Sequence, residues 1–411
     1  TIDANHLNSI LRIGGQSNVV LKNINFKNGY HYDSSNGVST SAVIGGYDDG
    51  IVNEYHVNLS IVGCSFENCY NSQYGGAVTC DVKGYCSLTD CSFLNCSSQR
   101  GGAIYKADMI SGCIFTDCYA IDYGHGGAIY QAGTVTDCNF TYSFANEDGK
   151  EGDAVYECSV VNKCNFINCF DFWGSAVDGA DEVVDCNFTH CSGRSGAAIS
   201  YAKNVKGCSF MDCSSPITEG YASDGGAIHN ADNVIDCYFR NCSAEEGGAI
   251  YDVANVDGCT FADCSAVDGG AIYNPRKVTN SNFTNNIAEK GGAIYVDYYY
   301  NPTITYCNFK DNSKNGQIFF ETTLTYYCDS YSKCTLSNLN FEGNGLNYAG
   351  GISFANNVLT VMEDKQYLPS DSGDVIDLSK LVYLSGNVSI NIAGKTFKTA
   401  LDSGIAKFDL N

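Results

Sequence analysis

The sequence predicts an all-β fold: a single-stranded parallel β-helix of about thirteen coils over residues 1–355, then a small, incomplete antiparallel β-sandwich segment over 356–411. Three observations predict it. A unit of 22 residues recurs along the chain. Within each unit the apolar stretches are strand-length and bounded by Gly, Asn, Asp and Ser. No stretch of ten residues or more carries a 3.6-residue period, which argues against helical repeats.

The unit is plainest from Gly247, where GGAIYDVANVDGCTFADCSAVD is followed from Gly269 by GGAIYNPRKVTNSNFTNNIAEK. The small-residue tripeptide begins at Gly75, Gly101, Gly126, Gly152, Gly174, Gly196, Gly225, Gly247, Gly269 and Gly291, so loops are inserted at one corner of a constant coil. A phenylalanine column runs in step from Phe26 through Phe166 and Phe261 to Phe341. Three short strands per unit, stacked coil on coil, make a solenoid. With strands about 4.8 Å apart, thirteen coils extend roughly 60 Å.

Each position then acquires a task. Ile228, Ile250, Ile272 and Ile294 point inward and stack, as does the Phe column, with a Cys two residues earlier on the same face. The glycine pair turns a corner with positive φ. The residue after the Ile varies among Tyr105, Asp178, Ser200, His229 and Tyr251, which predicts an outward face. Tyr251, Tyr273 and Tyr295 are therefore a candidate binding stripe for sugar rings or a partner protein, or else an aromatic ladder that steadies the strands. Tyr298, Tyr299 and Tyr300 form a similar cluster in a corner insert.

The 23 cysteines fall mostly into two columns. Eight coils carry C-x-F-x-x-C: Cys64/Cys69, Cys91/Cys96, Cys113/Cys118, Cys164/Cys169, Cys186/Cys191, Cys208/Cys213, Cys237/Cys242 and Cys259/Cys264. The spacing is not that of a zinc ribbon, and no cofactor or metal is expected. Cys138 and Cys307 persist where their partners are Ser143 and Asn312, so obligatory pairing within a coil is disfavoured. Buried thiols acting as small apolar fillers are the preferred reading over disulfides. Cys80/Cys86 and Cys328/Cys334 lie in polar inserts and read as loop-closing disulfides in an extracellular setting. Cys158 fits neither group.

A net charge of −23 disfavours binding to nucleic acid or anionic lipid, and no apolar run is long enough to span a membrane. The chain opens in mid-pattern at TIDANHLNSILRI, so we expect a processed or trimmed piece of a longer product. Its tail, VSINIAGKTFKTALDSGIAKFDL, alternates as antiparallel β, but about 55 residues are fewer than a whole sandwich needs. Either the chain is cut, or the remaining strands come from elsewhere, such as a neighbouring copy, and an open sheet edge invites strand addition.

The pattern GGAIY…V-x-x-C/S-x-F-x-x-N/C over residues 19–355 resembles the large adhesin-like surface proteins of methanogenic archaea. It is similar, more distantly, to chlamydial polymorphic outer membrane proteins. The tail resembles the start of a bacterial-type immunoglobulin-like module. The resemblance implies a right-handed, pectin-lyase-like winding and an extracellular, cell-surface location. It departs at the family's inward Asn ladder, present as Asn286 and Asn312 but mostly Cys here. An Asn column hydrogen-bonds; a Cys column is expected to pack or cross-link.

Many right-handed β-helices degrade pectin, so a polysaccharide lyase or hydrolase is an alternative. It needs clustered carboxylates beside an Arg or Lys. Arg12, Arg100, Arg194, Arg240 and Arg276 have no recurring carboxylate group. Asp224, Glu246 and Asp268 fall in one column, where three stacked acids could hold Ca²⁺; with Lys290 as its next member the column reads instead as a solvated corner, and His125 and His229 as exposed coil residues. No catalytic residues are assigned. Sequons at Asn58, Asn95, Asn139, Asn187, Asn241, Asn282 and Asn387 are glycosylation candidates. The sequence thus favours a non-enzymatic adhesin-like or structural protein engaging surface glycans, proteins or other copies of itself. A self-assembling filament or sheath subunit, joined through coil ends and the C-terminal segment, is the runner-up.

Overall fold

Stacked identical residues dictate a parallel ladder, and the computed structural model has one. It describes residues 1–7, 9–13, 17–31, 43–45, 57–80, 84–145, 153–170, 174–216, 223–297, 302–312, 317–320, 335–337, 339–342, 348–350, 387–392, 395–402 and 405–406. The chain divides into two units, Thr1–Pro216 and Ile217–Asn411. Parallel β-solenoid winding occurs in both, with no helix among the described residues and about ten turns in all. That is fewer than the thirteen counted from the Phe column.

In the first unit the Phe strands, among them Ser92–Leu94, Ile114–Thr116, Asn139–Thr141 and Asn165–Ile167, pair in parallel with no slip. Phe93 lies beside Phe115, Phe115 beside Phe140 and Phe140 beside Phe166. Their rings stack with centroids 4.8, 4.8 and 4.6 Å apart. A second sheet carries the Ile and Val columns on long strands such as Ile104–Ser111, Ile129–Thr136 and Val155–Asn162. A third, of five strands, runs from Tyr30–His31 to Phe144–Ala145. The second unit repeats the arrangement, with Phe239, Phe261, Phe283 and Phe309 stacked at 4.7 to 4.9 Å. Ile250 pairs with Ile272 and Ile272 with Ile294, as the repeat requires. Every Phe from Phe26 to Phe309 in this column is fully buried, so each coil closes the next one's apolar floor.

Three left-handed corners bend each coil. One precedes the first Cys column, at Asp90, Gly112, Asp137, Lys163 and Asp185. A second precedes the second Cys column, at Asn95, Asp117, Tyr142, Asn168 and His190. The third follows the Tyr column, at Lys106, Gln131, Glu157, Asn230 and Asp252. Asn, Asp and Gly dominate these sites because they tolerate positive φ most readily. The glycine pair adds a further corner. Gly247 sits at φ +65, and a Cβ on Gly248 would lie 2.2 Å from the Gly270 carbonyl oxygen. A side chain is excluded at the first glycine by conformation and at the second by the next coil.

In the tail, Asn387–Ile392 pairs antiparallel with Lys395–Asp402, which pairs with Ile405–Ala406. One three-stranded sheet is present among the described residues. The second sheet of a sandwich, the expected boundary at 356, Cys328, Cys334 and Tyr298 to Tyr300 lie outside the described residues.

Candidate functional site

The expected aromatic stripe forms, and it extends beyond the residues singled out from the sequence. In the second unit His229, Tyr251, Tyr273 and Tyr295 occupy one register. Their rings stack at 5.3, 5.1 and 4.7 Å, within 13° of parallel. The first unit has its own stripe: Tyr105 stacks on Tyr130 at 5.4 Å and Tyr130 on Tyr156 at 5.2 Å. Arg100 lies over the Tyr74 and Tyr130 rings at 5.6 and 5.9 Å, a cation–π arrangement.

These rings are not the exposed face that their variability suggested. Tyr273 and Tyr295 are 8% and 4% exposed, and Tyr251 is half-buried. The cause is the glycine corner of the coil before. A Cβ on Gly247 would come within 3.1 Å of the Tyr273 Cβ, and one on Gly269 as close to that of Tyr295. Each bare glycine is the floor on which the next Tyr lies, and neighbouring rings cover one another's faces. The histidines depart from expectation in the same way. His229 is half-buried against Tyr251, and burial lowers its pKa. His125 rests on Tyr156 at 4.3 Å.

Along this stripe Asp224, Glu246, Asp268 and Lys290 form successive parallel bridges. All four are half-buried rather than fully solvated. Burial, reinforced by Asp224, Asp268, Glu245 and Asp297, pushes the Glu246 carboxyl up to about 7. Burial, then Glu246, Asp297, Tyr251 and Asp268, push the Tyr273 hydroxyl well above its ordinary range. Lys290 reaches the Tyr295 ring, 5.8 Å from its centroid. The result is a half-buried ridge of carboxylates beside stacked phenols. Among the described residues no three His, Cys, Asp or Glu side chains converge as a metal site.

The column cysteines are brought together, and they do more than fill space. In the first column the backbone N–H of Cys91 donates to Cys113 Sγ at 3.4 Å, Cys113 to Cys138 at 3.4 Å, Cys164 to Cys186 at 3.4 Å, Cys186 to Cys208 at 3.5 Å and Cys237 to Cys259 at 3.4 Å. In the second column each thiol lies within reach of the Phe carbonyl one coil back, Cys96 of Phe66 at 3.8 Å, Cys118 of Phe93 at 3.8 Å and Cys191 of Phe166 at 3.7 Å, and shares its one proton between that oxygen and the carbonyl of Leu94, Thr116 or Thr189 at 3.6, 3.6 and 3.9 Å. Asn286 and Asn312 make the same bond to Phe261 and Phe283 at 3.1 and 3.0 Å. Cysteine therefore substitutes for asparagine as a donor, and the expectation of a purely apolar filler is corrected. Cys64, Cys69, Cys169, Cys213, Cys242, Cys264 and Cys307 are likewise buried and unbonded to one another. Burial raises the thiols of Cys96 and Cys264. Cys158 aligns with Ala132 and takes the place of that small residue; burial pushes its thiol up to about 12. Cys80 and Cys86 are joined by a disulfide.

Asn58, Asn95, Asn139, Asn187, Asn241 and Asn282 are exposed, and Asn387 lies in the strand Asn387–Ile392. Several stack outside the Phe sheet: Asn187 donates to Asn165 and Asn165 to Asn139, at 2.9 and 2.7 Å. This ladder was missed in the sequence, where its signal is Asn recurring one position before Phe.

No family model, no curated protein and no solved structure matches the chain.

Proposed function

We propose that the chain is a non-enzymatic, extracellular module of a cell surface, adhesin-like or structural, that presents a rigid, repeating outer face to a repetitive polymer such as a surface glycan. The observation that carries this reading is the register of the outer face. Because Phe140, Phe166 and Phe188 stack without slip, the residues flanking them repeat at every rung. Asn139, Asn165 and Asn187 form one polar row, and Thr141 and Thr189 stand in the row beside it, with Ile167 between them. Amide and hydroxyl groups fixed at a constant step suit a ligand with a repeat of its own, and fixing them in advance lowers the entropy cost of binding. The Cys80–Cys86 disulfide supports an oxidising setting.

The test is binding of the purified chain to isolated cell-surface polysaccharide, with a variant carrying Asn139→Lys, Asn165→Lys and Asn187→Lys. Asn139 and Asn187 are exposed and Asn165 is half-buried, and all three lie outside the Phe core, which the changes leave intact. Loss of binding in the variant supports the proposal. Equal binding by both, or depolymerisation of the glycan by the parent, overturns it.

A second reading is a self-assembling surface filament. It is favoured by the antiparallel strand Asn387–Ile392, which among the described residues pairs on one side only. Negative-stain imaging of native material separates filaments from single particles.

A further inference from the structure

The first cysteine column of the Thr1–Pro216 unit holds seven thiols on successive coils: Cys64, Cys91, Cys113, Cys138, Cys164, Cys186 and Cys208. All are at most 2% exposed. The residues that follow Cys91 to Cys208 pair directly, Ser92 with Ile114, Ile114 with Asn139, Asn139 with Asn165, Asn165 with Asn187 and Asn187 with Ser209. Successive thiols therefore stand one rung apart on one face, about 4.8 Å along the column.

That spacing selects a particular chemistry. A disulfide needs Cβ atoms about 3.5–4.5 Å apart with side chains that converge. In-register parallel neighbours keep their Cβ atoms about 4.8 Å apart and point the same way. A linear sulfur–metal–sulfur unit, with bonds near the 2.3 Å of thiolate–zinc, spans about 4.6 Å and bridges neighbouring rungs without moving the backbone. Thiolate donors select soft ions. The N–H groups of Cys91, Cys113, Cys164 and Cys186 already point at sulfur on the next coil and favour its anionic form. The burial that excludes water also penalises net charge, so an uncharged product is preferred.

We propose that neighbouring thiols of this column bind soft, two-coordinate metal ions, one ion bridging two coils. For Hg(II), two thiols lose two protons, two sulfur–metal bonds form, and the bridge is neutral; no electron is transferred. Three ions occupy six of the seven thiols.

The experiment uses the full chain with Cys328→Ser and Cys334→Ser, so that neither position can compete for the ion, titrated with mercuric chloride in the absence of added thiol. The expected result is a thiolate-to-metal charge-transfer band with two protons released per ion. X-ray absorption should show two sulfurs at about 2.3 Å, and the β-sheet circular dichroism should persist. Cys91→Ser, Cys138→Ser and Cys186→Ser together leave no adjacent pair in this column and should lower uptake by about three ions. If that variant does not fold, Cys138→Ser alone splits the run and should lower it by about one. Serine already serves at Ser281, accepting the Cys259 N–H at 3.2 Å and donating to Thr279 at 2.8 Å. Three- or four-sulfur coordination, uptake only as the fold is lost, or uptake unchanged in the variants overturns the proposal.

Discussion

Glu246 gives the sharpest test of how the ridge is held. Its carboxyl sits half-buried between Asp224 and Asp268, with Glu245 and Asp297 close by, and its pKa is displaced from 4.5 to about 7. A raised carboxyl pKa means that the folded chain binds this proton more tightly than the unfolded chain does. Between pH 4.5 and about 7 the folded state carries more protons, so stability falls as pH rises through that window. At full weight the displacement is about 3.4 kcal/mol. The side chain is only half-buried, and solvent screening reduces the expected effect to about 1.5 kcal/mol. Glu246→Gln keeps the shape and removes the charge. It should match the parent at pH 4, exceed it by about 1.5 kcal/mol at pH 8, and flatten the pH dependence between. A solenoid need not unfold in one step, so the assay is amide hydrogen exchange of the strands Ile228–Ile235 and Ile250–Asp257 at both pH values. Faster exchange in the variant than in the parent at pH 8 would refute the reasoning, as would an undiminished pH slope.

Three further substitutions probe the ladders. Phe188→Ala removes a ring stacked on Phe166 at 4.8 Å and Phe210 at 5.1 Å, and should cost about 3–5 kcal/mol in denaturant titration, with proteolysis opening at that coil first. Gly247→Ala sets a Cβ 2.1 Å from the Ile250 carbonyl oxygen at φ +65, and should lower the melting temperature more than Ala at an exposed strand position such as Ser92; an equal melt would contradict the corner assignment. Cys264→Asn extends the Asn286–Asn312 stack and should be more stable than Cys264→Val by about 1 kcal/mol, read as the difference in thermal midpoint.

How much of this was legible in the sequence depends on what each position must satisfy. The Phe and Ile columns were legible because a buried ladder demands nearly the same side chain on every coil, so periodicity and role coincide. The three corner columns were harder to see. Asp137, Lys163 and Tyr142 share a left-handed backbone but not a residue type, so the letters vary while the conformation does not. Tyr273 was misplaced for another reason: it points away from the core, as alternation required, yet the glycine corner one coil back receives it. A repeat read within one coil cannot show what the adjacent coil covers.

The cysteines carry the point furthest. Cys and Asn look like opposite choices for an interior column, one soft and apolar, the other strongly polar. At Cys191 and Asn286 the demand is nevertheless the same: a small side chain that donates to the Phe carbonyl one coil back, met by Sγ at 3.7 Å and by Nδ2 at 3.1 Å. The thiol makes the weaker bond but costs less to bury, so a long run of thiols is tolerated without the desolvation that a long run of amides incurs. The two residue types therefore interchange at single positions of this column without disturbing the register on either side. Asn312 illustrates this in a coil whose other column position is still Cys307.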